Sequence, residues 1–297
     1  MDTAIFQWRK RFFVAPARRT CYIKDGLAKR SDGISPFDRM MNSTLRTVAA
    51  ILEAAGIENH GQEARWICED AASDGDALRI ARRRADGEPL QYLLGTAPFR
   101  DLMLKVDPRA LIPRPETELL AGWLIRHAPP RGSILDLGCG SGAIALAVAS
   151  ERPDLSVTAA DISRDALDLA MENAESCRIT GVEFILSDLF SALDRRKFSL
   201  IGANLPYVSP AEYPDLPDEV RRFEPKLALT APEAGFALIR QTIADAPRHL
   251  LPGGGIILEL SPPQASEAVE LLAANGFEPS VIRDLCGRDR FAAGVLP

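Results

Sequence analysis

The sequence predicts an α/β fold, in which a mostly parallel sheet of seven strands with helices on both faces follows a small all-α domain. Three observations predict it. Strand-like and helix-like segments alternate from Ser133 to the C-terminus, the pattern of parallel strands joined by helical crossovers. The first of these strands runs into a glycine-rich turn at 138–142 and then into a helix. Before them, from Ser43, apolar residues recur at helical spacing until Gly56.

The composition excludes several classes of protein. The chain has 297 residues, of which 46% are hydrophobic and 26% charged, so it can bury a sizeable core and is neither collagen-like nor disordered. No apolar run approaches the roughly 18 residues that span a bilayer. Five cysteines without a C-x-x-C pair and three scattered histidines argue against a disulfide framework and a metal site. We therefore expect a cytoplasmic monomer with reduced thiols, no metal and no membrane partner.

Charge is unevenly distributed along the chain. Residues 1–30 contain eight basic and two acidic residues, although the whole chain carries a net charge of −6. The acidic remainder is a poor match for the backbone of DNA or RNA, so we expect no stable nucleic-acid partner. Residues 1–40 lack clear periodicity and lack the apolar stretch of a secretory signal. We expect them to be a disordered extension or not to be translated, and an organelle transit peptide is the alternative.

The helical domain is predicted over residues 41–89. Its first helix begins at Ser43, and two shorter helices are predicted at 62–72 and 76–85. Glycine and proline at 87–89 then interrupt the helical pattern.

Residues 90–113 are predicted to form a β-hairpin connector, because strand-like runs at 91–95 and 102–106 flank a turn. Residues 114–297 form the α/β domain, which opens with a helix after Pro115. Its strands are predicted at 133–137, 156–160, 182–186, 198–203, 255–260, 279–284 and 290–295, and its later helices at 142–151, 163–176, 234–249 and 263–274.

The most informative motif is the run Asp136-Leu137-Gly138-Cys139-Gly140-Ser141-Gly142, where a strand ends and a helix begins. Glycines allow positive φ angles and close approach of a ligand, and a helix N-terminus offers N–H groups. The G-x-G-x-G spacing differs from the dinucleotide fingerprint G-x-G-x-x-G, which disfavours an NAD enzyme. The run resembles the S-adenosylmethionine loop of class I methyltransferases. The resemblance implies a Rossmann-like fold with S-adenosylmethionine as cofactor, bound by Asp136, Gly138, Cys139, Gly140, Ser141 and Gly142. The alternative is a turn that serves only packing.

Two further acidic residues follow strands at the same predicted edge of the sheet. Asp161 ends the second strand, where its carboxylate can accept hydrogen bonds from both ribose hydroxyls, although it could instead cap the next helix. Asp188 follows the third strand, where it can accept a hydrogen bond from the adenine amino group while Leu189 packs on the ring. The alternative for Asp188 is an ordinary turn. We predict that Asp161, Asp188 and Leu189 bind the cofactor.

The run Asn204-Leu205-Pro206-Tyr207 directly follows the fourth strand. It resembles the N-P-P-Y motif of methyltransferases that act on planar amide or amino nitrogens. An amide nitrogen is a poor nucleophile because its lone pair is delocalised. The Asn204 side-chain oxygen and the Leu205 carbonyl can hold both N–H protons, which points the lone pair at the sulfonium methyl. Pro206 and Tyr207 shape and stack the planar group. These four are the predicted catalytic and substrate-binding residues, and Asn204 is also predicted to contact the cofactor; the alternative is a turn without chemistry.

Other segments resemble the peptide chain release factor glutamine methyltransferases. They are 88–95, the run Leu111-Ile112-Pro113-Arg114-Pro115-Glu116-Thr117-Glu118, 223–229 and 284–290, and the resemblance covers residues 43–295. It implies methyl transfer from S-adenosylmethionine to the side-chain amide of the glutamine in the Gly-Gly-Gln loop of release factors, the proteins of translation termination. It also implies that Arg114 and Glu116 bind substrate near the active site, and that the helical domain helps to bind the release factor.

The chain departs from the family pattern at Leu205, which stands where the motif has its first proline. The fixed φ of proline is lost there, but Pro206 still restrains Leu205 toward an extended backbone, so we expect a less rigid loop with an intact site. Two other functions stay open. A nucleic-acid base N-methyltransferase could present an exocyclic amino group to the same loop. A non-catalytic binding module is the other, and the change at Leu205 motivates it.

Overall fold

The structure is a computed structural model that describes the backbone of residues 36–297 and the side chains from Ser43 onward. The prediction for residues 1–35 lies outside the described residues. The chain divides between Leu94 and Gly95 into a helical unit and a larger α/β unit. None of the described helices combines the length and the apolar character needed to span a membrane.

The helical unit contains α1 (Pro36–Ala54), α2 (His60–Asp70), α3 (Asp74–Ala85) and α4 (Leu90–Leu94). Helix α1 thus begins inside the predicted extension rather than at Ser43. The core of this unit consists of buried apolar side chains that recur at helical spacing, among them Val48, Leu52, Ala64, Ile67, Ile80 and Ala81. An ion pair between Arg84 Nε and Glu63 Oε2, 2.7 Å long, joins α3 to α2.

One predicted strand is wrong. Residues 91–94 of the predicted strand belong to α4, in which Leu90 is buried in the helical core and Leu93 and Leu94 pack against it. The hairpin itself is present and begins after this helix, where β1 (Thr96–Phe99) pairs antiparallel with β2 (Leu102–Lys105). The hairpin falls within the α/β unit.

The hairpin strands form a separate two-stranded sheet. The main sheet has seven strands: β3 (Ser133–Leu137), β4 (Ser156–Asp161), β5 (Val182–Leu186), β6 (Phe198–Ala203), β7 (Leu250–Glu259), β8 (Glu278–Arg283) and β9 (Asp289–Val295). The spatial order is β5-β4-β3-β6-β7-β9-β8, with β9 antiparallel to both of its neighbours and the other pairs parallel. The chain builds outward from β3 to β5 and then returns to β6 on the other side of β3. The carboxyl ends of β3 and β6 therefore flank the point where strand order reverses, and sheets of this type bind ligands there.

Six helices of at least six residues accompany the sheet: α5 (Thr117–His127), α6 (Ala143–Glu151), α7 (Arg164–Ser176), α8 (Asp218–Phe223), α9 (Ala237–Asp245) and α10 (Ala265–Ala274). A short irregular helical turn at Pro232–Gly235 precedes α9. The helix predicted at 234–249 is shorter than expected. Helix α9 ends at Asp245 and a 3₁₀ turn follows over Ala246–His249, which contains Pro247 near its start. Proline lacks the N–H that a continuing α-helix needs.

Side chains of the central strands alternate between two cores, as the period of a strand requires. Ile134 and Ile257 pack in the core on the face of α5 and α6, whereas Leu135 and Ile256 pack in the core on the face of α9 and α10. At Gly202 in β6, an added Cβ atom would lie 2.6 Å from the Leu124 side chain of α5. Helix α5 therefore lies directly on β6.

Candidate active site

A cavity of about 340 Å³ lies at the carboxyl ends of β3, β4 and β6. It brings together segments that are far apart in sequence, namely the glycine loop, the loops after β4, β5 and β6, and residues 109–114. The predicted site residues on its wall are Gly138, Cys139, Gly140, Ser141, Asp161, Asp188, Leu189, Asn204, Leu205, Pro206 and Arg114. The other predicted site residues, Asp136, Gly142, Tyr207 and Glu116, lie outside this wall.

The glycine loop is held against β4 by its backbone. The N–H groups of Gly138 and Cys139 both donate to the Ala160 carbonyl, over 2.8 and 3.0 Å. Gly138 has a φ of +74°, and an added Cβ atom would lie 2.9 Å from the Leu205 side chain. Gly142, with φ +82°, begins α6, and its added Cβ would lie 3.0 Å from Ala170. Glycine is required at both positions by conformation and by space.

Asp136 lies behind the loop and is completely buried. Its Oδ2 accepts a hydrogen bond from the Ala145 N–H over 2.9 Å, which joins the end of β3 to the start of α6. Its Oδ1 has no hydrogen-bond partner among the described residues. Burial, with a smaller contribution from the Asp161 charge, raises the pKa of Asp136 to about 7. Asp136 is therefore not on the wall of the cavity in this geometry.

Asp161 lies at the end of β4 and faces the cavity. Its Oδ2 accepts from the Gly140 N–H over 2.8 Å, and its Oδ1 accepts from the Ser163 N–H over 2.9 Å. Burial raises the pKa of Asp161, and these hydrogen bonds oppose that rise. The Ser163 hydroxyl caps α7 by accepting from the Ala166 N–H. Asp161 is thus not the cap of that helix, and it shapes the glycine loop from the side.

The loop after β5 presents an exposed Asp188 and a buried Leu189 to the cavity. Leu189 has a φ of +46°, a conformation that costs energy for a residue with a side chain. Ser187 holds it there, since its hydroxyl donates to the Leu189 carbonyl over 2.7 Å. The Ser187 N–H in turn donates to the Asp161 carbonyl over 2.9 Å.

The loop after β6 turns its first three residues toward the cavity and its fourth away. Asn204 Nδ2 donates to Thr117 Oγ1 over 3.1 Å, and Leu205 is buried against Gly138. The Tyr207 hydroxyl instead donates to Glu259 Oε1 over 3.4 Å. Burial, followed by the neighbouring Glu259 carboxylate, raises the pKa of Tyr207. In this structure the Tyr207 hydroxyl supports the loop, and Tyr207 is not on the wall of the cavity.

Arg114 and Glu116 each pair with a residue distant in sequence. Arg114 Nη2 donates to Glu224 Oε1 over 2.5 Å, and the Glu224 side chain, 1% exposed, also accepts from the Ile112 N–H over 3.1 Å. Glu116 Oε1 lies 3.6 Å from Arg288 Nη2. Arg114 therefore lines the cavity with its guanidinium already engaged, and Glu116 lies beside the loop before β9.

Known proteins resemble this chain over most of its length. Residues 115–216 match the family model described as methyltransferase small domain. Curated relatives named release factor glutamine methyltransferase include one from Pseudomonas aeruginosa, 48% identical over 217 residues, which cover 72% of this chain and 78% of that protein. Another, from Geobacter sulfurreducens, is 35% identical over 262 residues, which cover 86% of this chain and 90% of that protein. This chain belongs to the release factor glutamine methyltransferase family.

The fold agrees with that family. A solved methyltransferase structure from Pyrococcus furiosus matches with a TM-score of 0.51 and 18% identity, covering 66% of this chain and 89% of that one. The predicted class I methyltransferase fold and the prediction of a methyltransferase are confirmed. Membership of this family also confirms S-adenosylmethionine as the cofactor.

The residues at the cavity fit S-adenosylmethionine. The backbone at Gly140 is open, since an added Cβ atom would meet only Ala110 Cβ, 3.8 Å away, and ligand atoms can approach the loop closely. Asp161 supplies a carboxylate that suits hydroxyl groups. Leu189 and Ile162 supply apolar surface, and Ile162 is 52% exposed although its side chain is apolar. A glycine cradle, a carboxylate and apolar side chains are what a nucleoside with a charged tail requires.

Four residues to which the sequence analysis assigns no individual role stabilise the site of this methyltransferase through hydrogen bonds. They are Thr117, Ser187, Glu224 and Glu259. Glu259 carries a signal that could have found it. It follows the apolar run Ile256-Ile257-Leu258, just as Asp136 follows Ile134 and Leu135 in the first strand of the main sheet. An acidic residue inside a buried strand needs a partner, and it is therefore a candidate for a role at the site.

Proposed function

We propose that this protein transfers a methyl group from S-adenosylmethionine to the side-chain amide nitrogen of the glutamine in the Gly-Gly-Gln motif of peptide chain release factors. The observation that carries the proposal is the position of Asn204, which shares one cavity with the glycine loop and is anchored through its amide nitrogen. Its side-chain oxygen is thereby left for a substrate N–H. The protein's curated relatives are named release factor glutamine methyltransferase, which also supports the proposal.

S-adenosylmethionine supplies an electrophilic sulfonium methyl group when it is bound. On this proposal the loop from Gly138 to Ser141 holds it, and Asp161 accepts hydrogen bonds from the ribose with the lone pairs that Gly140 and Ser163 leave unused. Asp188 and Leu189 bind the adenine. Asp136 acts from behind the loop, through the start of α6.

The catalytic loop holds the substrate amide. The Asn204 side-chain oxygen and the Leu205 carbonyl accept the two N–H protons of the glutamine amide, and Pro206 shapes the cavity wall beside it. This arrangement fixes the amide plane before reaction, so that catalysis comes from positioning and from preorganised acceptors. Tyr207 contributes by fixing the loop through Glu259. Leu205 retains the carbonyl that the mechanism needs.

The partner on this proposal is a release factor, and the enzyme works as a cytoplasmic monomer without a stable nucleic-acid partner. The helical unit contributes to release-factor binding, as the resemblance implies. Arg114 and Glu116 act on the substrate by shaping the segment before α5, because both are paired within the protein.

Methyl transfer can be measured by mass spectrometry of a release factor, and of a Gly-Gly-Gln peptide, after incubation with S-adenosylmethionine. We expect one added methyl group on the glutamine, and none on a matched peptide with Gln→Asn, whose shorter side chain does not reach the loop. Transfer to RNA or DNA in parallel reactions, with none to the release factor, would refute the proposal in favour of a base methyltransferase.

A further inference from the structure

A buried chain of hydrogen bonds runs from the catalytic loop to the end of β7. Asn204 Nδ2 donates to Thr117 Oγ1 over 3.1 Å, and Thr117 Oγ1 donates to Glu259 Oε2 over 2.7 Å. Thr117 is the first residue of α5 and Glu259 is the last of β7; they are 5% and 2% exposed. These residues meet because α5 packs on β6 and β6 pairs with β7.

The direction of these hydrogen bonds follows from the chemistry of the three groups. An ionised carboxylate has no hydrogen to donate, so the Thr117 hydroxyl must donate its single hydrogen to Glu259. The Thr117 oxygen can then only accept, and Asn204 must offer it the NH₂ end of its amide. The opposite amide orientation would place two acceptor oxygens against each other. A charge at the end of β7 thus determines which end of the Asn204 amide remains for the cavity.

We infer that Thr117 and Glu259 are positioning residues that hold the Asn204 amide with its oxygen available to a substrate N–H. The inference rests on the proposed function, because it is there that Asn204 acts as an acceptor. Glu259 also contacts the Tyr207 hydroxyl, so that one carboxylate fixes the first and the last residue of the catalytic loop.

Protonation of Glu259 would reverse the chain. Burial raises the pKa of this carboxyl to about 7, and the Glu116 charge adds to the rise. The hydrogen bond from Thr117, the Arg290 charge on β9 and the hydrogen bond from Tyr207 oppose it. A protonated Glu259 can donate to Thr117, whose own hydrogen then turns toward Asn204. The NH₂ end of Asn204 would face the substrate and repel its N–H. We therefore expect the rate of methyl transfer to fall as the pH drops below about 7.

The first test compares two variants that differ by one hydroxyl. Thr117→Val keeps the shape of the side chain but breaks the chain of hydrogen bonds, whereas Thr117→Ser keeps the hydroxyl. At saturating S-adenosylmethionine we expect single-turnover methyl transfer to fall roughly 10- to 100-fold in Thr117→Val and to be largely restored in Thr117→Ser. Cofactor affinity should not change. Thr242→Val is the matched control, because the buried Thr242 hydroxyl has no hydrogen-bond partner among the described residues.

The second test uses the pH profile. Glu259→Gln keeps a hydrogen-bonding side chain of the same shape but cannot titrate, so the acid limb of the rate profile should disappear. Asp136 also has a pKa of about 7 and is unchanged in this variant. If the acid limb persists in Glu259→Gln, Glu259 does not control the step.

A third measurement does not depend on the substrate. The side-chain amide signal of Asn204 in NMR spectra should shift with pH near 7 in the parent protein and stay constant in Glu259→Gln. It should also show proximity to the Thr117 side chain.

These readouts separate the inference from the proposed function. Equal rates in the parent and Thr117→Val, on a release factor that is methylated, would overturn the inference and leave the function standing. A parent that does not methylate glutamine would refute the function. The inference would then be decided by the Asn204 signal, and a signal insensitive to pH and to Glu259→Gln would overturn it.

Discussion

Asp161→Asn is expected to impair cofactor binding almost as severely as Asp161→Ala. The two carboxylate oxygens of Asp161 accept hydrogen bonds from the backbone N–H groups of Gly140 and Ser163, over 2.8 and 2.9 Å. Asparagine keeps the shape of the side chain but has only one acceptor oxygen. Its NH₂ group would face one of the two N–H groups, donor against donor, so that either the glycine loop or the start of α7 must move.

The expected loss is at least about 3 kcal/mol, toward the lower end of the sum of two effects. Leaving one backbone N–H unpaired costs about 1 to 3 kcal/mol, and losing a charged acceptor for a ribose hydroxyl costs about 1.5 to 3 kcal/mol. The Kd for S-adenosylmethionine should therefore rise more than about 100-fold.

Titration calorimetry with S-adenosylmethionine and with its demethylated product measures this loss. Asp165→Asn is the matched control, because Asp165 is exposed in the first turn of α7 and does not line the cavity. Its affinity should equal that of the parent. Parent-like affinity in a correctly folded Asp161→Asn would show that neither oxygen of Asp161 serves the loop or the cofactor.

Three further outcomes are expected. Asn204→Ala should leave cofactor affinity nearly unchanged in calorimetry and lower the single-turnover rate by about 100-fold, the effect of one lost preorganised polar group; a parent-like rate would exclude amide holding. For Asp136, the pKa in the folded state, about 7, lies above its ordinary value, so the folded state binds the extra proton and ionisation destabilises it as pH rises from about 4 to about 7. Urea unfolding measures the difference in the free energy of unfolding between Asp136→Asn and the parent. This difference should change by about 4 kcal/mol in favour of Asp136→Asn between pH 4 and pH 8, and a difference that stays constant with pH would contradict this. Arg114→Met leaves the buried Glu224 carboxylate without its cation and should lower the free energy of unfolding by about 3 kcal/mol, whereas Arg248→Met, at an exposed pair, should not change it.

The architecture of the α/β unit could be predicted because its signals are local. In β3, Ile134 and Leu135 pack into different cores, and the apolar run that a strand buried on both faces requires can be read from that strand alone. The glycine loop is a run of neighbouring residues, so Gly138 and Gly142 could be identified from the sequence without knowledge of the residues that pack against them. For the same reason the edge of the sheet that carries the site could be predicted from Asp161 and Asn204, each at the end of its strand.

Local signals fail where tertiary packing decides. The run at 91–95 has the composition of a strand, but Leu90, Leu93 and Leu94 fall on one face of a helical turn and pack on the helical core. Five residues do not distinguish these outcomes, because the period of the apolar positions cannot be measured over so short a segment. Tyr207 shows the same limit at the site. Its place in the motif predicts stacking on the substrate, but the motif does not reveal that its hydroxyl contacts a carboxylate 52 residues further along the chain.

The contacts that orient the catalytic loop are those that no local pattern encodes. Thr117 and Glu259 are 142 residues apart in sequence, and their hydrogen bond exists only once α5 has packed on β6 and on its neighbour β7. The motif Asn204-Leu205-Pro206-Tyr207 specifies which groups can meet a planar amide, but it does not specify which end of the Asn204 side chain points at the substrate. That choice is made by a buried charge on another strand. On this inference, we expect Leu205 in place of the motif's proline to impair methyl transfer less than the motif alone implies, since Glu259 holds the loop at Tyr207 directly and at Asn204 through Thr117.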